Sequence, residues 1–181
     1  MQMRGLLITA FAAAVFAASG VAAYQHVRAT GAGWREIAWP FPRDGWPAGR
    51  AFRCETEACG GEIEVYLRPK IGFCNCDTGV ADDDEVDRVA DLDLISERFV
   101  PLRQGEAIRV ADMAGRLRSY DLHLAGGARH SAIGIAVSQR CDLMVAVAQG
   151  TAAAPEVQRV ALDFLASDEM TRWMTKAMDG G

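Results

Sequence analysis

The chain has no basic excess. Its 19 lysines and arginines face 24 aspartates and glutamates, for a formal net charge of -5. Sequence-independent nucleic-acid binding needs a basic face, so that class of partner is excluded as an expectation. Lysine itself is scarce, with only Lys70 and Lys176. Histidine is scarce as well: His26, His123 and His130 lie far apart, and neither the H-x-x-x-H nor the H-E-x-x-H spacing of a helical zinc site occurs. The sequence also lacks a phosphate-cradling G-x-x-x-x-G-K-S/T, a dinucleotide G-x-G-x-x-G, a G-x-S-x-G nucleophile turn and a haem-attaching C-x-x-C-H. Enzymes built on those motifs find no support. No internal repeat and no low-complexity tract follows residue 23, which sets aside solenoids and arrays.

What remains is ordinary globular material: 50% hydrophobic and 24% charged residues over 181 positions, enough to bury one core and too short for two domains of usual size. Residues 1–23 stand apart. Arg4 supplies a short positive start, residues 5–20 are uncharged and apolar, and Val21-Ala22-Ala23 presents the small residues a signal peptidase accepts. The expectation is a cleaved export signal, with an uncleaved inner-membrane anchor over residues 5–23 as the alternative. Much of the run is alanine, which contributes little to insertion, and this favours cleavage. Export places the protein in the periplasm or outside the cell, where disulfides persist. Residues 24–33 read as a flexible lead-in to one domain spanning 34–181.

Four of the five cysteines fall within 23 residues: Cys54, Cys59, Cys74 and Cys76, with Cys141 far downstream. As a quartet they are either disulfide partners or a zinc or copper(I) site, since thiolates suit both ions and C-x-C can present two sulfurs to one of them. Cys54-x4-Cys59 is looser than a C-x2-C knuckle, and in an exported chain the disulfide reading leads. The expected arrangement joins the 54/59 group to the 74/76 group across a hairpin. That leaves Cys141 as a free buried thiol or as a recruited partner.

Residues 62–68 alternate Ile63, Val65 and Leu67 against Glu62, Glu64, Tyr66 and Arg68, which predicts a strand with one core face and one wet face, closed by a turn at Pro69-Lys70. Residues 34–39 form another strand, edged by Pro40 and Pro42; the cluster of Trp34, Trp39 and Trp46 is expected to cover the sheet rather than to bind sugars or extended peptides. Residues 107–113, 116–124, 130–137 and 143–148 read as an antiparallel meander, with turns at 114–115, 126–127 and 138–140. The acidic run Asp82, Asp83, Asp84 and Glu85 could bind calcium by carboxylate count. It lacks the spacing of an EF-hand loop, and Asp82 with Glu85 three residues on reads better as the capping box of a short helix. Beyond Pro155, apolar residues recur at helical spacing through Leu165, and Ser167 restarts the pattern with Asp168 and Glu169 behind it.

The expected fold is therefore α+β: an antiparallel meander sheet of about six strands with a packed C-terminal helix. The expected role is non-catalytic, a disulfide-stabilised cell-envelope protein that binds or assists an envelope protein partner. Membrane contact is expected only if the N-terminal segment is retained, and no cofactor is expected. The alternatives are a periplasmic zinc or copper protein using the cysteine quartet and a thiol-disulfide oxidoreductase using Cys74-Asn75-Cys76.

Overall fold

Strand alternation and helical periodicity both become tertiary structure here, on the two faces of one sheet. The computed structural model describes residues 33–72 and 75–179. The export segment, the lead-in up to residue 32, Cys74 and the closing Gly180-Gly181 pair lie outside the described residues. The elements in chain order are β1 (Trp34–Ile37), β2 (Arg50–Cys54), the short α1 (Thr56–Cys59), β3 (Ile63–Lys70), α2 (Asp83–Val89), β4 (Phe99–Pro101), β5 (Glu106–Val110), β6 (Met113–His123), β7 (Arg129–Gln139), β8 (Asp142–Gly150), α3 (Ala154–Leu165) and α4 (Asp168–Asp179).

The eight strands make one antiparallel sheet in the order β1-β2-β3-β8-β7-β6-β4, with β5 also paired to β6. The fold class is α+β. The four strands of the meander, β5 to β8, follow one another as the sequence predicts, with the first turn displaced, whereas β2 and the three-residue β4 were not anticipated. Both are short, and neither carries enough alternation to announce itself. Central β8 is buried on both sides, Met144, Ala146 and Ala148 toward one face and Leu143, Val145 and Val147 toward the other. That explains its unbroken apolar run.

On the first face, α3 and α4 lie over the sheet. Val157, Val160, Ala161, Phe164 and Leu165 of α3 and Met170, Met174 and Met178 of α4 meet Ile63, Val65, Leu67, Ile133 and Ile135 in one core. The Phe164 ring stacks on Trp34 at 4.2 Å between centroids and meets Phe52 edge-on at 4.9 Å. Ser167 starts α4, its hydroxyl 3.4 Å from the Met170 amide that donates to it.

The second face, expected to be wet, is largely roofed. Tyr66, Arg68 and Lys70 are 8%, 2% and 5% exposed. The strand also does not end where its proline suggested, because β3 continues through Pro69 and Lys70, opposite Met144 and Leu143. Its other neighbour, β2, has ended at Arg50 opposite Leu67, so Pro69 sits where β3 is an edge on that side and no ladder partner misses its N–H. A second correction concerns Gly115. It lies inside β6 opposite Val137, because a Cβ there would come within 2.1 Å of the Ala136 carbonyl oxygen. The turn itself falls at Ala111-Asp112, between the paired Val110 and Met113.

Helix α2 covers β6 to β8 on this second face. Asp82 caps it by accepting from the Glu85 amide at 2.9 Å, and Glu85 accepts from the Ala81 amide at 3.1 Å. Asp83 accepts from the Gly105 amide at 2.9 Å and from Arg116 at 2.5 Å, while Asp87 accepts from Arg118 at 2.6 Å and from Tyr120 at 2.5 Å. The acidic run is thus occupied in starting a helix and clamping it to β6. Truncating Phe164 removes the ring that both Trp34 and Phe52 pack on. We expect Phe164→Ala to cost about 3–5 kcal/mol in urea unfolding, and a loss below about 1 kcal/mol would show that α3 is not held by that stack.

Candidate functional site

Beyond α2, the second face carries polar groups that the fold brings together from four strands. Arg53 (β2), Glu64 and Tyr66 (β3), Gln149 (β8) and His130 (β7) lie side by side, because the register sets Arg53 against Glu64, and Glu64 against Gln149. Glu64 receives Arg53 at 2.9 and 2.6 Å, the Gln149 amide at 2.9 Å and the Tyr66 hydroxyl. Gln149 turns its oxygen toward His130 Nδ1 at 2.5 Å. Since Gln149 spends its amide nitrogen on Glu64, its oxygen accepts, and His130 holds a proton on Nδ1. The row borders a shallow depression of about 190 Å³ lined by Glu62, Glu64, His130, Gln149, Gly150 and Thr151.

The electrostatics of Glu64 and Tyr66 favour fixed protonation over proton exchange. Desolvation works to raise the Glu64 carboxyl, yet the hydrogen bonds from Tyr66, Arg53 and Gln149 prevail and hold it below its ordinary value. Burial, followed by the bond to Glu64, pushes the Tyr66 hydroxyl up. Glu64 stays ionised and engaged; Tyr66 stays protonated. A general acid or base would need a group poised near the working pH, and neither side chain is placed that way.

Next to the row, residues 38–49 fold over β3. Phe41 and Trp39 meet the Tyr66 ring edge-on at 4.8 and 6.3 Å, and the Arg68 guanidinium lies 5.8 Å from the Trp39 centroid. Trp39, Phe41, Pro42, Asp44 and Trp46 enclose a cleft of about 200 Å³ floored by Arg68. Of the three tryptophans grouped in the sequence, Trp34 goes to the opposite core and Trp39 and Trp46 go to this cover. Arg68 ties the cover down with two bonds to Asp44, at 2.8 and 2.7 Å, and two to Asp91, at 2.7 and 2.9 Å. Lys70 donates to Asp91 at 2.7 Å and to the Val89 carbonyl at 2.9 Å.

The cysteines pair differently from the expected cross-hairpin arrangement. Cys54 bonds to Cys59, five residues on, and Cys76 bonds to Cys141. Cys141 is thus a disulfide partner rather than a free thiol. The reason is register: Cys54 ends β2 and α1 immediately turns Cys59 back onto it, whereas Cys76 is carried past β3 to the two-residue turn joining β7 and β8. With these sulfurs bonded to one another, Cys54, Cys59 and Cys76 have no thiolates to offer zinc or copper. Asp82, Asp83, Asp84 and Glu85 likewise do not converge: among the described residues no group of three or more histidines, cysteines or carboxylates could hold a metal ion. None of the polar row on β2, β3, β7 and β8 was singled out as a site from sequence. Its faint signal was the alternation that put Glu64 and Tyr66 on one side of a strand.

No family model matches this sequence, and no curated protein matches it. Among solved structures, it is similar to a Pseudomonas aeruginosa protein of unknown function at 14% identity, over 74% of this chain and 80% of that one, with a TM-score of 0.38. It is also similar to the cyanobacterial PsbP protein (CyanoP) of Synechocystis at 16% identity, over 75% and 79% of the two chains, with a TM-score of 0.46. The site therefore rests on its own geometry.

Acid should release the aromatic cover before it unfolds the sheet. The Arg68 hydrogen bonds hold the Asp44 carboxyl at about 2, down from its ordinary 3.8. A depressed carboxyl contributes stability that is full above the unfolded value and lost as pH falls through the folded one. Tryptophan fluorescence should accordingly show a step between about pH 4 and pH 2, where β-sheet circular dichroism still holds, and Asp44→Asn should abolish it. A step that persists in that variant would assign the transition elsewhere.

Proposed function

We propose that this chain is an exported cell-envelope protein, held by disulfides, that binds an envelope protein partner through the open polar row of its sheet. The carrying observation is the pair of disulfides, one of them with its Cys76 sulfur residue exposed at the surface. Such bonds persist in oxidising compartments and are rare in the cytosol. The apolar segment over residues 5–23 supports the same compartment, with cleavage after Ala23 giving a periplasmic or secreted form. No helix among the described residues is long and apolar enough to cross a membrane.

The site chemistry supports binding over turnover. Arg53, Glu64, Tyr66, Gln149 and His130 form a pre-ordered array whose donors and acceptors are fixed by one another, the kind of surface that orients a polar partner. Metal carriage and thiol exchange within the C-x-C draw no comparable support, since Cys76 is bonded to Cys141.

Two measurements test this reading. Mature protein recovered by osmotic shock should begin at Tyr24 and carry two intact disulfides by mass; an intact N-terminus in the cytosolic fraction with all thiols free would overturn the compartment. For the surface, a photocrosslinker placed at Glu62 or His130 should capture one defined envelope protein, and the same probe at Arg109 should not. Equal capture from both positions would remove the polar row as the binding face.

A further inference from the structure

The two disulfides differ in a way that bears on regulation. Cys54 and Cys59 are 0% and 6% exposed and belong to the core under Trp34, and a Cβ on Gly33 would lie only 3.2 Å from Cys54 Sγ. An external thiolate has no approach to that bond while the fold is closed. Cys76 is exposed, in a turn among exposed neighbours, and Cys141 is half-buried in the β7–β8 turn. Thiol–disulfide exchange depends on access to the attacked sulfur, and here only one of the two bonds offers it.

Equally, little of the surrounding fold hangs on the exposed bond. Segment 75–81 has its own turn: the Gly79 amide donates to the Asn75 carbonyl at 2.9 Å, and Asn75 Oδ1 accepts from the Asp77 amide at 2.9 Å. The β7–β8 ladder pairs down to Gln139 and Asp142 without it. The neighbouring α2 is held independently by Asp83 with Arg116 and by Asp87 with Arg118. The disulfide joins this segment to the β7–β8 turn, beside the place where Val80 packs against Val89, Ala136, Leu143 and Val145.

We propose that Cys76–Cys141 is a redox clasp: a dithiol reduces it selectively, and the protein stays folded while segment 75–80 lifts away and uncovers the apolar patch under Val80. The exchange is balanced. One thiolate of the dithiol attacks Cys76 Sγ, the Cys76–Cys141 bond breaks, and Cys141 leaves as a thiolate that takes a proton. The second thiol of the reductant then displaces Cys76, so the dithiol becomes a disulfide and the protein gains two electrons and two protons. This holds whichever partner the polar row binds.

The test titrates the full mature chain, in a Cys74→Ser background that prevents shuffling within the C-x-C, with dithiothreitol under native conditions. Samples are quenched by alkylation and read by peptide mass spectrometry. Cys76 and Cys141 should be labelled at a dithiol concentration at least about tenfold below that needed for Cys54 and Cys59. Near-ultraviolet circular dichroism should be retained, and hydrogen exchange should rise within residues 75–80. Simultaneous reduction of both bonds, or loss of near-ultraviolet signal together with the first, would overturn the clasp. A Cys76→Ser/Cys141→Ser variant provides the second check: it should be folded and show the faster exchange without any reductant, and an exchange pattern identical to the oxidised protein would also overturn it.

Discussion

Arg68 carries a positive charge with 2% of its side chain exposed, and the arrangement of the sheet's second face follows from how that charge is answered. Desolvation opposes the charge; the carboxylates of Asp44 and Asp91 overcome it and raise the group further above the ordinary arginine range. Asp44 belongs to the aromatic segment over β3, and Asp91 follows α2 in a left-handed conformation at φ 58°. One guanidinium therefore fixes both covers of the face in a single hydrogen-bonded cluster, and Lys70 brings the count to two cations and two anions. A cluster built on a buried guanidinium adds little net stability against apolar packing, but losing one of its carboxylates leaves uncompensated charge. Its contribution is placement.

The placement decides where the face stays open. Helix α2 is clamped over β6 to β8 by Arg116, Arg118 and Tyr120, and Trp39 and Phe41 lie over one end of β3. Arg53, Glu64, Gln149 and His130 remain between and beside these covers. Their mutual hydrogen bonds keep a carboxylate ionised at the edge of an apolar sheet, an arrangement that low local dielectric makes costly unless every member is satisfied. The other face is closed by α3 and α4 with methionine, valine and aromatic side chains, and its ion pair of Arg50 with Glu36 lies at the β1–β2 edge.

The disulfides divide along the same lines. Cys54–Cys59 sits in the apolar layer with Trp34 and is part of the packing, whereas Cys76–Cys141 spans the surface between a loop and a turn 65 residues apart. Closing so long a loop constrains the unfolded chain strongly, yet the native elements it joins are each held by ladder and ion pairs of their own. Stability and reactivity can then reside in different bonds of one molecule.

Much of the architecture was legible from residue order alone. Alternation along residues 107–148 determined the meander, Asp82 and Glu85 marked the start of α2, and the spacing of Val157, Val160, Ala161 and Phe164 marked the helix that closes the first face. These are local signals: each is set by neighbours a few residues away, through the pleat of a strand, the turn of a helix or a cap. Tertiary structure alone decided the rest. Arg68 meets Asp44 and Asp91 across 24 and 23 residues, Gln149 reaches Glu64 across 85, and Cys76 finds Cys141 rather than a cysteine nearer in sequence. Such partners share no periodicity that a linear reading can detect. They become neighbours only when strand register and the two covers are set, so the polar row and the disulfide pairing are consequences of packing.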